Sequence, residues 1–284
     1  MTDAECVKFL QWSLPRLDLR WQGFRNVRRQ VCKRIGRRMA ELGLTEIGDY
    51  RARLEADPVE WSALDSLCGI TISRFYRDRA VWDALRDEVL PALAQGAIEA
   101  GEEELRFWSI GCASGEEPYT LSIVWTLGIA HRYPGLRLHV LGTDFDEHVL
   151  KRARAAIYSS ATLRDLPVAW RERAFEPERG LFRVRDEFRA AVELHQADVR
   201  QALPEGMFRL ILCRNLVFTY FDEALQLETL GRLSTKLCED GALLIGRHEK
   251  LPPGAGLAPW HPALGIFRQP VMPLPAVLMK PLAT

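Results

Sequence analysis

Four acidic residues, Glu116, Glu117, Asp144 and Asp198, each follow an apolar run, a placement that suits a ligand carrying positive charge or hydroxyl groups. The first pair falls within Phe107-Trp108-Ser109-Ile110-Gly111-Cys112-Ala113-Ser114-Gly115-Glu116-Glu117-Pro118-Tyr119. Gly111 lets the chain turn sharply where a strand ends, and Gly115 lets a ligand approach backbone that carries no Cβ. A pyrophosphate would be repelled by the two glutamates, whereas a sulfonium with an amino group would not, so the turn favours S-adenosylmethionine over a dinucleotide. The plain alternative is a strand-to-helix turn with two solvated acids.

Leu136 to Asp144 reads as a second buried strand ending in an acid. In a nucleotide-binding βαβ unit that acid accepts hydrogen bonds from ribose hydroxyls, which makes Asp144 the ribose candidate. Its alternative role is to cap the helix that starts near Asp146, a role that Asp146 can itself fill. Val192 to Val199 supplies a third strand end, where Asp198 is either an acceptor for an adenine amino group or a surface-loop acid. A fourth run, Phe208 to Asn215, leads into Leu216-Val217-Phe218-Thr219-Tyr220-Phe221-Asp222. Ligands of open α/β sheets sit outside the carboxyl ends of the strands, so these ends should converge on one crevice.

The elements that position these residues are legible in outline. Phe24, Val27, Val31, Ile35 and Met39 recur at helical spacing, with Arg25, Arg28, Arg29, Lys33, Arg34, Arg37 and Arg38 on the remaining faces. This basic helix is either a docking face for an acidic partner or a solvated face. A second helix runs from about Ile47 to Leu54, and a third begins around Val59 after Asp57-Pro58. Leu67 to Asp78 is expected to link the two parts, and a helix from Ala80 through Val89 then leads to Pro91. Between Arg154 and Val192 the regular alternation lapses, and after Leu225 come a helix, a turn at Glu239-Asp240-Gly241, a strand Ala242–Gly246 and a last strand near Leu264–Phe267.

The chain has 284 residues, 48% of them hydrophobic, and no formal net charge, enough for a sizeable core and without a global pull toward nucleic acid or membrane. No apolar run reaches the ~18–20 residues of a membrane span, and MTDAECVKFL lacks the basic-then-apolar order of a signal peptide, so a cytoplasmic location is expected. Cys6, Cys32, Cys68, Cys112, Cys213 and Cys238 show no ligand spacing, so neither a zinc site nor a disulfide framework is expected.

The segments GCASGEEPYTL at 111–121, GTDFD at 142–146, LILCRN at 210–215, RFYRD at 74–78 and GALLIGRHEKL at 241–251 together resemble the CheR family of chemotaxis receptor methyltransferases. The resemblance spans nearly the whole chain. It implies an α/β fold: a Rossmann-like S-adenosylmethionine-dependent methyltransferase sheet, a small all-helical N-terminal domain (1–68), a linker (69–82) and a catalytic domain (83–284) with a small antiparallel β insertion (about 165–191). It implies S-adenosylmethionine as cofactor, S-adenosylhomocysteine as product, and Arg77 and Tyr220 as catalytic residues. Cofactor contacts fall on Thr71, Ser73, Arg77, Gly111, Cys112, Ala113, Glu117, Asp144, Phe145, Asp198, Val199, Asn215 and Leu216. The implied partner is an acidic helical region of a receptor-like protein, met by the basic helix Arg25–Arg38.

The chemistry implied is esterification of glutamate side chains. A glutamate has an unperturbed pKa of about 4.3 and is already the carboxylate nucleophile at neutral pH, so no strong base is needed. The arginine fork of Arg77 matches a carboxylate, its alternative being a salt bridge to Asp78. Tyr220 is either a donor to the substrate carboxylate or a core tyrosine. The chain departs from the family pattern in placing Leu216-Val217-Phe218-Thr219 between Asn215 and Tyr220, one residue more than usual. It also has Thr71 and Ser73 where the family has Asn and Thr, and His248-Glu249 where it has Ser-Glu. Two further readings stay open: a cofactor-binding signalling module without catalysis, and a methyltransferase for a different protein or a small-molecule acid.

Overall fold

Strand alternation sorts the apolar residues onto two faces of one sheet. In β1 (Glu104–Ile110), Leu105 and Phe107 join one hydrophobic cluster while Trp108 and Ile110 join another. Leu210 and Leu212 of β7 (Phe208–Cys213) follow the first pair, and Ile211 and Cys213 the second. Both faces are therefore covered, as a largely parallel sheet requires. The computed structural model describes residues 2–71 and 73–270, so the part of the expected catalytic domain beyond 270 lies outside the described residues.

Helices α1 (Asp3–Ser13), α2 (Trp21–Phe24), α3 (Arg28–Glu41), α4 (Ile47–Ala56) and α5 (Pro58–Cys68) come first. Asp57 accepts the Val59 amide at 3.0 Å and caps α5, with Pro58 in its first turn. The apolar stripe of α3 is buried through Val31, Ile35 and Met39, and its cluster is continuous with the Trp108 face of the sheet. The expectation of no disulfide is overturned here: Cys6 and Cys32 are bridged, with Cα atoms 6.0 Å apart. Their separation of 26 residues hid a pair that the packing of α1 on α3 brings within bridging distance.

After the linker, α6 (Arg79–Ala84), a π-helical segment (Leu85–Val89) and α7 (Leu90–Glu99) form one continuous run. Pro91 does not end it: the wider turn just before loosens the bonding ladder that a proline would otherwise break. The main sheet has the order β6-β2-β1-β7-β8-β10-β9, adding β2 (Arg137–Asp144), β6 (Val192–Gln196), β8 (Leu237–Ile245), β9 (Ala258–His261) and β10 (Ile266–Arg268). Pairing is parallel from β6 through β8 and antiparallel for β10 and β9. The turn expected at 239–241 is instead an irregularity inside β8, where Asp240 has φ +62° and a Cβ on Gly241 would press on the Cys238 carbonyl.

A second sheet of order β3-β5-β4 is antiparallel, formed by β3 (Ile157–Tyr158), β4 (Phe175–Glu178) and β5 (Leu181–Val184). It takes its first strand from ahead of residue 165. Among the described residues no helix is long and apolar enough to cross a membrane.

Candidate active site

The carboxyl ends of β1, β2, β6 and β7 open into one cavity of about 250 Å³. Every residue expected in the site lines it: Thr71, Ser73, Arg77, Gly111, Cys112, Ala113, Glu117, Asp144, Phe145, Asp198, Val199, Asn215, Leu216 and Tyr220.

The glycine turn is tied to the end of β2. The Cys112 amide donates to the Thr143 carbonyl at 3.0 Å, and the Ala113 amide to Asp144 Oδ2 at 2.9 Å. Asp144 Oδ1 accepts the Asp146 amide at 3.0 Å. Asp146 itself caps the following helix, α8 (Glu116–Gly128) having preceded it and α9 (Glu147–Ala155) carrying the cap through the His148 amide at 2.8 Å. Asp144 is thus released from capping, and its two oxygens retain lone pairs for further donors. Burial raises its pKa, opposed by the backbone donors.

The two glutamates after the turn part company. Glu117 lines the cavity, accepting from Ser109 Oγ at 2.8 Å and from Arg214 at 3.1 Å. Glu116 is 6% exposed and absent from the lining; its Oε2 has no hydrogen-bond partner, and burial pushes its carboxyl up to about 7. The reading of both as solvated acids therefore fails for each.

Asp198 faces the cavity as one member of an ionic group. Arg200 binds it at 2.7 Å and binds Asp65 of α5 at 2.6 Å, and the Arg200 amide donates to Asp198 at 2.9 Å. The carboxylate is held to the wall by charge, and the same guanidinium joins the N-terminal helices to the sheet.

The linker is anchored from both sides of the site. Phe75 meets Tyr158 and Phe175 edge-on at 4.8 and 5.1 Å, and Tyr76 lies against Trp82 and Trp170. Asp78, the expected alternative partner of Arg77, is paired with Arg214 at 2.6 Å instead. Arg214 is 9% exposed and bridges Asp78 to Glu117, a role that the sequence reading missed although the residue stands inside LILCRN. Gly69 has no room for a side chain: a Cβ would lie 2.7 Å from the Phe145 ring.

The segment with the extra residue before Tyr220 forms a single helical turn, Val217–Tyr220. Asn215 enters it with φ +55°. Glu249, also missed, holds this turn by accepting the Asn215 amide at 2.9 Å, the Gly246 amide at 2.5 Å and the Thr219 hydroxyl at 2.5 Å. Tyr220 packs on Phe24 with ring centroids 4.9 Å apart, and burial together with the nearby Glu249 charge pushes its hydroxyl up to about 12, against the Arg77 charge. It is a protonated donor at neutral pH. His248 is exposed and stands outside the lining.

The expected basic helix is broken at residues 25–27, a turn between α2 and α3, and its basic residues divide by exposure. Arg28 pairs with Asp3 at 3.1 Å, Arg34 donates to the Leu67 and Gly69 carbonyls, and Arg38 binds buried Glu60 at 2.8 Å. Arg25, Arg29, Lys33 and Arg37, spaced by four, are the exposed set.

Residues 71–257 match the model of the CheR methyltransferase S-adenosylmethionine-binding domain, and residues 26–65 match the CheR methyltransferase all-alpha domain. A protein of Listeria monocytogenes named chemotaxis protein methyltransferase is 31% identical over 81% of this chain and 85% of its own length. One of the same name from Salmonella typhimurium is 34% identical over 78% of this chain and 76% of its own. The chain belongs to the CheR methyltransferase family and uses S-adenosylmethionine.

Proposed function

We propose that this member of the CheR family esterifies glutamate side-chain carboxylates of a chemoreceptor-like signalling protein. The observation that carries the reading is that Arg77 and Tyr220 line the same cavity as Glu117 and Asp144, so groups suited to an anionic acceptor face groups suited to a cationic, hydroxyl-bearing donor. The relatives' name supports the substrate class.

The residues present fit the donor. Glu117 would face its amino group, Asp144 its ribose hydroxyls, and Asp198 with Val199 its adenine, while Thr71 and Ser73 offer hydroxyls to its carboxylate. When bound, S-adenosylmethionine supplies an electrophilic methyl group on a sulfonium. Arg77 would grip a glutamate carboxylate with its fork, and the Tyr220 hydroxyl would donate to the same group. Orientation is the main work required of the protein, because the nucleophile is ionised beforehand. No histidine lines the cavity among the described residues, and this chemistry asks for none.

The acceptor segment would be an acidic helical region docking on the exposed face Arg25, Arg29, Lys33 and Arg37. The test is to incubate the protein with labelled S-adenosylmethionine and a chemoreceptor cytoplasmic fragment and to count base-labile methyl esters. A folded protein that binds the cofactor but forms none on any glutamate-bearing fragment would overturn the reading.

A further inference from the structure

The turn that carries Tyr220 is gripped from two directions by residues far away in sequence. On one side, Arg20 Nε donates to the Thr219 carbonyl at 3.0 Å and its terminal nitrogen to the Phe218 carbonyl, while its own amide donates to the Tyr220 carbonyl at 2.8 Å. In this turn the Val217 carbonyl accepts the Phe221 amide, and the guanidinium satisfies the next two carbonyls, those of Phe218 and Thr219, and complements their partial negative charge. Gly23 permits the approach: a Cβ there would run into the Thr219 carbonyl and lie 3.0 Å from the Tyr220 ring. Leu19 bridges Phe221, and the Asp222 amide donates to the Asp18 carbonyl at 2.8 Å, so residues 18–24 follow the turn along its length. On the other side stands Glu249, with its three bonds to Asn215, Gly246 and Thr219.

We propose that Arg20 and Glu249 are positioning residues for methyl transfer: between them they fix the turn so that Tyr220 stands opposite Arg77. The proposal rests on the reading of Tyr220 as the donor to the substrate carboxylate. It assigns the segment 18–24 of the N-terminal helices a part in turnover, distinct from partner docking. The four-residue spacing before Tyr220 gives the device its purpose, since a longer segment needs restraint at both ends to hold a ring in one place.

The test is a cycle between Arg20→Ala and Tyr220→Phe, reading kcat, KM for the receptor fragment and calorimetric affinity for S-adenosylhomocysteine. Arg20→Ala is expected to lower kcat about tenfold or more with the affinity for S-adenosylhomocysteine within about twofold, and to cost less than about twofold in the Tyr220→Phe background. Arg20→Lys, which offers no planar fork to two carbonyls, should fall between wild type and Ala, and it carries the test if Arg20→Ala does not fold. Thr219→Val, which deletes the hydroxyl bonded to Glu249, should lower kcat in the same direction. Wild-type kcat in folded Arg20→Ala or Arg20→Lys, or equal costs in both backgrounds, would overturn the clamp while leaving Tyr220 in place. A wild-type rate in Tyr220→Phe would remove the underlying role of Tyr220 and the clamp with it.

Discussion

The two walls of the cavity are built by different means. The sheet wall is local: the Ala113 amide binds Asp144, the Cys112 amide binds Thr143, and β1 and β2 lie side by side in parallel register. The facing wall is assembled from remote pieces. Arg20 reaches across 199 positions to Thr219, Arg34 holds the carbonyls of Leu67 and Gly69, and Arg214 ties Asp78 to Glu117. Glu117, Asp144 and Asp198 on the sheet wall suit the small donor, and Arg77 and Tyr220 on the facing wall suit the acceptor. Damage to the first should therefore appear in cofactor affinity, and damage to the second in turnover.

The largest expected effect is on the facing wall. Arg77→Ala should lower kcat at least about a hundredfold, ~3 kcal/mol in the transition state, with S-adenosylhomocysteine affinity largely kept. Arg77→Lys keeps the charge but loses the fork and should cost about tenfold. Steady-state kinetics beside calorimetry reads both, and an Arg77→Ala enzyme with normal turnover would break the division between walls. Turnover should also stay nearly flat from pH 8 to pH 6, because a substrate glutamate is ionised throughout and Tyr220 is protonated. A steep loss near pH 6.5 would point to a base that this mechanism does not contain.

Behind the sheet wall, Glu116 should affect stability and not turnover. Its carboxyl is raised to about 7 from an ordinary 4.5, so the native state favours the protonated form. The stability it contributes is fully present below its unfolded value and is lost as pH rises through 7. Glu116→Gln should therefore match wild type near pH 5 and be more stable at pH 8, by an order of ~3 kcal/mol, as urea titrations at the two pH values would read. Equal stability at both would mean that the carboxyl is solvated.

On the sheet wall itself the two strand-end acids should separate. Asp144→Ala removes a charge-assisted acceptor and the anchor of the glycine turn, and should weaken cofactor binding by ~1.5–3 kcal/mol in calorimetry. Asp198→Asn leaves Arg200 paired with Asp65 and should cost under ~1 kcal/mol. Equal losses would erase the distinction between an acid held by amides and one held by a guanidinium.

The smallest effect concerns the outer basic face. Replacing Arg25, Arg29, Lys33 and Arg37 by glutamine should raise KM for the receptor fragment a few-fold at low salt, and the difference should fade as the Debye length shrinks below ~8 Å. Replacing Arg28 and Arg34 should instead lower the melting temperature, since both hold structure. A triple change at Arg28, Arg29 and Arg34 would mix the two effects.

Strand positions and strand ends were legible because they depend on short-range pattern: buried runs, the glycines at 111 and 115, and an acid at the end of β2; the order of the strands came only with the fold. The same local logic placed the helix boundary at Asp57-Pro58 and offered Asp146 as a cap. It misread Glu239-Asp240-Gly241 as a turn, because turn-forming residues also suit an irregularity within a continuing strand. It let Pro91 mark a helix end, because the π-helical segment that accommodates it has no signature of its own.

The residue types showed that a carboxylate-rich, glycine-bounded strand end favours a cationic donor over a pyrophosphate, and the resemblance to the CheR family added that a carboxylate acceptor would need an arginine more than a base. Tertiary structure decided which of the like-looking groups is used. Glu117 and Glu116 are neighbours, yet one meets Arg214 and the cavity while the other is buried with an unpaired oxygen. Seven basic residues of the stretch 25–38 look alike in sequence, but packing turns Arg28, Arg34 and Arg38 inward to partners from α1, α5 and the linker. The bridge between Cys6 and Cys32 and the grip of Arg20 on the tyrosine turn arise the same way. A side chain's partner depends on which remote segments the fold brings within bonding distance, and burial, which decides its charge state, depends on the same assembly.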